Sequence, residues 1–552
     1  MNKYILIILS IILTTGYSCK KSSETVEDRS GVGSIYATFE NGSGFFNPVI
    51  STPYGDTIKF IFTTHFPAES NNLIDITKMR LGANSPVSLI LPAELSGVVD
   101  LTKKIPVTIR LADGSESKHI VVGVIRKSSE AQIKDFILPV SNTPGYIAEQ
   151  SKVVGLVPGG VTLISEKPKL SLSHHATITP DTSLVQDFTK PVTYTVKAED
   201  GTQAIYTVKQ ITPQKLASGL RKGSGRLLWS KTLPQMGIDG VNNMSTGIAI
   251  SGNNLVVNTR TVVNKYVNRF NGVYVGDMTM GGIMTASSFM NFFSTSDKAG
   301  NILISNLTTA AGQVLYVYKW TSATDVAPIK YIQWTNDITG SQVGRKISVY
   351  GDLNGDALIF MGASTANNTI LRWQVTGGVL QSQTPSKIIY QGSAKWTTHA
   401  DIISAGTSIA DKLFISGTPS DLVCTDYTAG TVIGQVGLTA AGYLTNNHAI
   451  DLATFNNAPY LASACVNAIA GFSILYDVTN PALLSTLPSS SAYPNVAVFQ
   501  TPTMVSTANA NGTGDVLLRV SDDGYKMILY IMATNGGVAA YEFDCIDLTK
   551  LI

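Results

Sequence analysis

From about Arg226 onward the chain alternates polar, Gly/Asn/Asp-rich turns with short apolar runs, and the alternation repeats. Leu255-Val256-Val257, Ile302-Leu303-Ile304, Leu358-Ile359-Phe360, Leu413-Phe414-Ile415, Tyr460-Leu461-Ala462 and Val516-Leu517-Leu518 start 47, 56, 55, 47 and 56 residues apart. A second run follows each, usually with a central aromatic: Val273-Tyr274-Val275, Leu315-Tyr316-Val317-Tyr318, Ile370-Leu371-Arg372-Trp373, Leu422-Val423-Cys424, Ile474-Leu475-Tyr476 and Ala539-Ala540-Tyr541. Weakly polar runs such as Thr246-Gly247-Ile248-Ala249-Ile250 precede the turns. A period near 50 residues with several short strands per unit predicts a β-propeller, the small-residue runs being the innermost strands where blades converge. The spacing predicts six blades over residues 226–552; seven is the alternative, the stretch from Asn495 to Leu548 having room for another. Arg226 to Lys231 precedes the first inner strand without a partner of its own, and is expected to complete the last blade and close the ring.

Upstream, residues 31–127 and 128–212 read as two copies of one module, joined by a linker (213–225) to the repeats. In each, alternating residues flank an Asp-Gly turn: Ile105 to Thr108 before Asp113-Gly114, and Val192 to Val196 before Asp200-Gly201, with Ile205 to Val208 after it. Asp-Gly between alternating runs predicts a hairpin with a type I′ turn. The string from Pro191 to Gly201, closing with Tyr206-Thr207-Val208, resembles the last hairpin of Ig-like domains of unknown function common in Bacteroidetes surface lipoproteins. That resemblance covers the second module closely and the first loosely. It implies Ig-like sandwiches near a lipid anchor, in glycan-uptake or host-surface systems, acting as spacers without catalytic residues. The fold class expected is therefore all-β: two Ig-like sandwiches and a propeller.

The N-terminus carries Lys3, an apolar core from Tyr4 to Leu13, and Gly16-Tyr17-Ser18-Cys19. That core is short of the ~20 residues needed to span a bilayer, so it predicts a signal peptide over residues 1–19. Small residues before a Cys, followed by Lys20-Lys21-Ser22-Ser23, resemble a bacterial lipobox, which implies lipidation of Cys19 and an outer-membrane lipoprotein tethered by residues 20–30. A secretory signal cut elsewhere is the alternative. Beyond Cys19 only Cys424, Cys465 and Cys545 remain, without a CxxC or Cys/His cluster, so buried free thiols are expected rather than a zinc site. With 40 Lys+Arg against 38 Asp+Glu, nothing argues for nucleic acid.

Candidate chemistry is sparse. Trp396-Thr397-Thr398-His399-Ala400-Asp401 and Thr445-Asn446-Asn447-His448-Ala449-Ile450-Asp451 open successive inner strands with their histidines 49 residues apart. His399, Asp401, His448 and Asp451 are thus expected at one rim of the channel, either as a pocket able to bind a metal or move protons, or as repeated inter-blade hydrogen bonds. Trp396, beside them, is the candidate sugar-stacking face; Trp320 and Trp373 are expected in the core. Asp352, Asn354 and Asp356 have the i, i+2, i+4 oxygens of a calcium loop but lack its later Glu, and an ordinary turn is the competing reading. From Arg221 onward there are 18 Asp and one Glu, none in a motif that marks a glycosidase acid or base, and no G-x-S-x-G or H-E-x-x-H occurs. The expectation is a non-enzymatic cell-surface protein binding a ligand, a glycan or a protein, in an outer-membrane nutrient-acquisition complex. A polysaccharide-active enzyme with its site at the rim, and an adhesive protein-interaction module, are the alternatives.

Overall fold

The computed structural model describes residues 32–551 apart from 50–55, 94, 96, 142, 159, 240–243, 261, 284–288, 365–367, 394, 419–421, 438–446, 467–469 and 506–512. The signal segment, tether and Cys19 lie outside the described residues. The protein is all-β, its helical content confined to short 3-10 turns among the described residues. No helix there is long and apolar enough to cross a membrane. The chain divides into two compact units, residues 1–212 with 548–552, and 213–547.

The first unit holds two larger sheets. One runs Pro48–Val49, Thr57–Thr63, Glu116–Arg126, Ile105–Arg110, Ser88–Ile90; the other, seven-stranded, runs Lys169–Leu172, Ile133–Leu138, Thr143–Ala148, Val153–Leu156, Gln203–Gln210, Val192–Lys197, Thr177–Thr179. Both contain the same parallel pair, an early strand beside the second strand of the final hairpin: Thr57–Thr63 on Glu116–Arg126, and Val153–Leu156 on Gln203–Gln210. Alternation drives the cores. Ile105, Val107 and Ile109 are buried while Pro106 and Arg110 are exposed, and Tyr194 and Tyr206, paired across the second hairpin, are both fully buried.

The hairpin turns correct one sequence expectation. A type I′ turn needs positive φ at both central residues, yet only Gly114 (φ 83°) and Gly201 (φ 94°) adopt it, while Asp113 and Asp200 do not. In each loop the aspartate's Oδ1 accepts the N–H two residues on, from Ser115 at 2.9 Å and Thr202 at 2.8 Å. Ala198 N–H reaches Thr202 O and Gly201 N–H reaches Ala198 O, the bonding of a three-residue loop with one left-handed glycine. A true two-residue turn occurs elsewhere: Asn456 and Asn457 (φ 45° and 66°) join Asn447–Phe455 to Ala458–Val466.

In the second unit the described residues form six antiparallel sheets in succession, their first strands being Ser245–Ser251, Phe293–Ser296, Ser348–Gly351, His399–Ser404, Asn447–Phe455 and Gly514–Val520. These first strands adjoin one another in order, and Gly514–Val520 adjoins Ser245–Ser251, so the contacts make a closed circuit. Arg226–Lys231 pairs antiparallel with Gly537–Asp544 and becomes the fourth strand of the sixth sheet, stitching the start of the unit to its end as its lone position in the sequence implied. Two repeat assignments shift. Val516-Leu517-Leu518 lies on the first strand of its sheet, the second being Lys526–Ala533, and Val273-Tyr274-Val275 falls at the fourth strand, Tyr274–Asp277, rather than the third. Both of the first two strands of the sixth sheet are buried on both faces, so an apolar run does not tell them apart.

Candidate functional site

A first strand is a sheet edge: one row of its backbone N–H and C=O groups faces away from its own sheet and needs partners. Here short polar side chains of the neighbouring first strand or its flanking turn supply them at all six junctions. Thr246 Oγ1 donates to Phe292 O at 2.6 Å and Ser296 Oγ accepts from Ile250 N at 2.8 Å. Asp297 Oδ2 accepts from Leu353 N at 2.7 Å, and Ser348 Oγ donates to Ile402 O. Asp401 Oδ2 accepts from Ile450 N at 3.0 Å, Asp451 Oδ2 from Leu518 N at 2.7 Å, and Asp515 Oδ2 from Ile248 N at 2.8 Å. Asp401 and Asp451 therefore staple adjacent sheets, which is the structural one of the two readings their spacing allowed. Asp515 belongs to the same set but was missed, because no His precedes it in the Asn511 to Asp515 turn.

Burial dominates the titration of these groups. It pushes Asp451 up to about 8 and Asp515 up to about 7, and raises Asp401 and Asp297 as well; Asp401 and Asp515 raise Asp451 further by repulsion. The compensating cation is Lys346, buried like its partner, with Nζ 3.6 Å from Asp515 Oδ1, donating to Gly514 O at 2.9 Å and lying 4.2 Å over the Phe293 ring.

His399 and His448 do meet: Nε2 of the first is 3.0 Å from Nδ1 of the second, both side chains buried. Burial, with help from Lys346, lowers both, His448 to about 3, so this is a neutral pair sharing one N–H. The four residues nonetheless do not form one rim. His399 lines a cavity of about 60 Å³ where the first strands begin, beside Arg260, Arg345 and Lys346. Asp451 lines a cavity of about 680 Å³ where those strands finish.

Trp396 requires a correction. It is 1% exposed, its indole N–H donates to Ala363 O at 2.7 Å, and it stacks on Tyr390 with ring centroids 5.7 Å apart. An indole sealed on both faces by core cannot stack on a sugar, and Trp396 is a packing residue like Trp320 and Trp373, both buried. At the calcium-like loop, Asp352 Oδ1 accepts Asn354 N–H at 2.7 Å and Asp356 Oδ1 accepts Gly377 N–H at 2.9 Å. The Asp352 bond is that of an ordinary turn, and among the described residues no three His, Cys, Asp or Glu side chains group as ligands for a metal ion. Cys424, Cys465 and Cys545 are buried.

The wider cavity offers more. Its lining combines Tyr350, Thr454, Asp451, Arg519 and the exposed Lys298 and Asp522. Arg519 is held by an Nη1 bond to Asp297 O at 3.0 Å. Volumes of ~300 to 1,000 Å³ with a few convergent polar groups are those of small-ligand pockets.

Sheets, staples and cavity together define an all-β protein assembled from uncharacterised domains. The chain belongs to the family described as Domain of unknown function (DUF8500), which matches residues 227–544. Two further families of unknown function match upstream, DUF8499 over 133–210 and DUF5018 over 14–123. Among solved structures, a DUF4623 family protein from Bacteroides eggerthii covers 75% of this chain and 98% of its own at 16% identity, with a TM-score of 0.47. A triple arginine-to-alanine mutant of AofleA from Arthrobotrys oligospora covers 56% and 86% at 10% identity, with a TM-score of 0.35. U3-55K covers 58% and 99% at 8% identity, with a TM-score of 0.33. Curated proteins yield no match.

Proposed function

We propose that the protein is a lipid-anchored outer-membrane protein of a nutrient-acquisition system. In this reading Cys19 carries the anchor, the two copies of the first unit are Ig-like spacers, and the second unit is a six-bladed propeller that captures a glycan without turning it over. The closed circuit of six sheets and the stitching strand Arg226–Lys231 support the propeller. The parallel pair common to both copies supports a duplicated spacer. The observation that carries the ligand reading is the cavity of about 680 Å³ at the end of the circuit where the first strands finish. A hydroxyl-rich ligand needs donors and acceptors fixed around a concave wall, and Tyr350, Asp522, Thr454 and Arg519 supply both on a frame of paired strands.

Glycan-array binding of the full chain, set beside turnover assays on the same sugars, tests this. Expected are binding without turnover and loss of binding in Tyr350→Ala and Asp522→Ala. Retained binding in both variants would move the ligand elsewhere, and turnover would replace the capture reading with the enzyme one. Labelling with radioactive palmitate, lost in Cys19→Ala, tests the anchor.

A further inference from the structure

We propose that the opposite end of the circuit, where the first strands begin, is an oxyanion-binding site for a carboxylate or sulfate group on a small ligand, with Arg345 as its principal contact. The proposal stands apart from the reading of the wider cavity, and either can fail without the other.

Three basic side chains meet here. Arg260, Arg345 and Lys346 line the same cavity of about 60 Å³. Arg345 also lines an adjoining cavity of about 330 Å³ whose other walls include Thr397, Ser364 and Thr309. Arg260 lies with its guanidinium carbon 4.6 Å over the Phe292 ring, and Lys346 lies over Phe293, so two aromatic faces hold the cations in place. Arg345 is held by a neutral group, its Nε donating to Gln342 Oε1 at 2.8 Å, and among the described residues it makes no ion pair. Among the described residues the carboxylates that act on Lys346 are Asp515, paired with it, and Asp401, whose Oδ2 is committed to Ile450 N, and burial raises both toward their neutral forms. The segments of this unit outside the described residues contain a single carboxylate, Asp421. Arg345 and Arg260 repel one another, and burial disfavours the charge on each.

A guanidinium pinned at Nε by an amide presents its outer edge as a planar fork, the geometry that matches two oxygens of a carboxylate or sulfate. The adjoining cavity gives the body of such a ligand room of about monosaccharide size, and its hydroxyl-bearing walls suit the remaining oxygens. An arriving anion would offset the repulsion between Arg260 and Arg345.

Calorimetric titration of the full chain with sodium glucuronate, glucose 6-sulfate and glucose, at one ionic strength set with sodium chloride, tests the proposal. Expected is binding of at least one anion and none of glucose, the pair of anions telling which oxyanion is preferred. Arg345→Gln should weaken the anion by about tenfold or more, the loss of a charge-assisted bidentate contact. Gln342→Glu places a carboxylate where Arg345 already donates, so it should abolish anion binding while raising the melting temperature, and it decides the matter if Arg345→Gln does not fold. Lys103→Gln, an exposed cation of the first unit, should leave anion binding unchanged. The proposal is overturned if neither anion binds, if glucose binds as tightly as the anions, or if Gln342→Glu binds the anion as the wild type does.

Discussion

Replacing Asp451 by Asn should make the protein more stable at neutral pH and progressively less so on acidification. In the folded chain burial, with repulsion from Asp401 and Asp515, raises this carboxyl from 3.8 to about 8. The unfolded chain gives up its proton near 3.8, so between the two values the folded state holds a proton that the unfolded state does not. Wild-type stability therefore falls as pH rises through that window, by about 1.4 kcal/mol per pH unit. The amide of Asn keeps one oxygen to accept the Leu518 N–H at the sheet junction and loses the second acceptor, which Leu452 N–H uses at 2.9 Å. That loss costs about 1 kcal/mol and is independent of pH. The difference in ΔΔG between about pH 5 and about pH 7.5 isolates the titration, and comes to about 3 kcal/mol in favour of the variant at the higher pH, several degrees in Tm. Urea denaturation followed by near-UV circular dichroism at both pH values measures it. A ΔΔG that does not change with pH, or one that favours the wild type more as pH rises, would refute the argument that a protonated aspartate staples these sheets.

Trp396→Ala should cost about 3 to 5 kcal/mol in urea denaturation, because it empties a core site sealed by Tyr390 and removes the partner of Ala363 O. Gly344→Ala should lower the yield of folded protein or destabilise it by more than about 4 kcal/mol, since φ is 103° and a Cβ would stand 2.0 Å from Asn306 O. Deleting Arg226 to Lys231 bares the edge of Gly537–Asp544, and size-exclusion chromatography should show soluble aggregates in place of a single species. Burial raises Cys424 and Cys465 to about 12 and Cys545 to about 11, so these three thiols should resist an aromatic disulfide reagent in the native protein and react once guanidinium chloride unfolds it.

What the sequence determined by itself was periodic. Runs such as Leu255-Val256-Val257, Ile302-Leu303-Ile304 and Leu358-Ile359-Phe360 recur because the second strands of these sheets are buried on both faces, and Arg226 to Lys231 stood out because a strand at one end of a circuit has its partner at the other. The His399 and His448 repeat was legible for the same reason: equal positions in successive sheets come to lie side by side, here 3.0 Å apart. Only the tertiary structure decided what such positions do. Whether Asp401 faces a ligand or the N–H of Ile450 depends on which backbone groups an inner edge leaves unpaired, and whether Trp396 is a platform or a core residue depends on what seals its faces. The Asp401 bond to Ile450 and the Trp396 bond to Ala363 join neighbouring sheets, and the meeting of Arg260 with Arg345 brings together residues that stand 85 apart without any motif to join them. Local pattern records which side of a strand is buried; it does not record what lies against it.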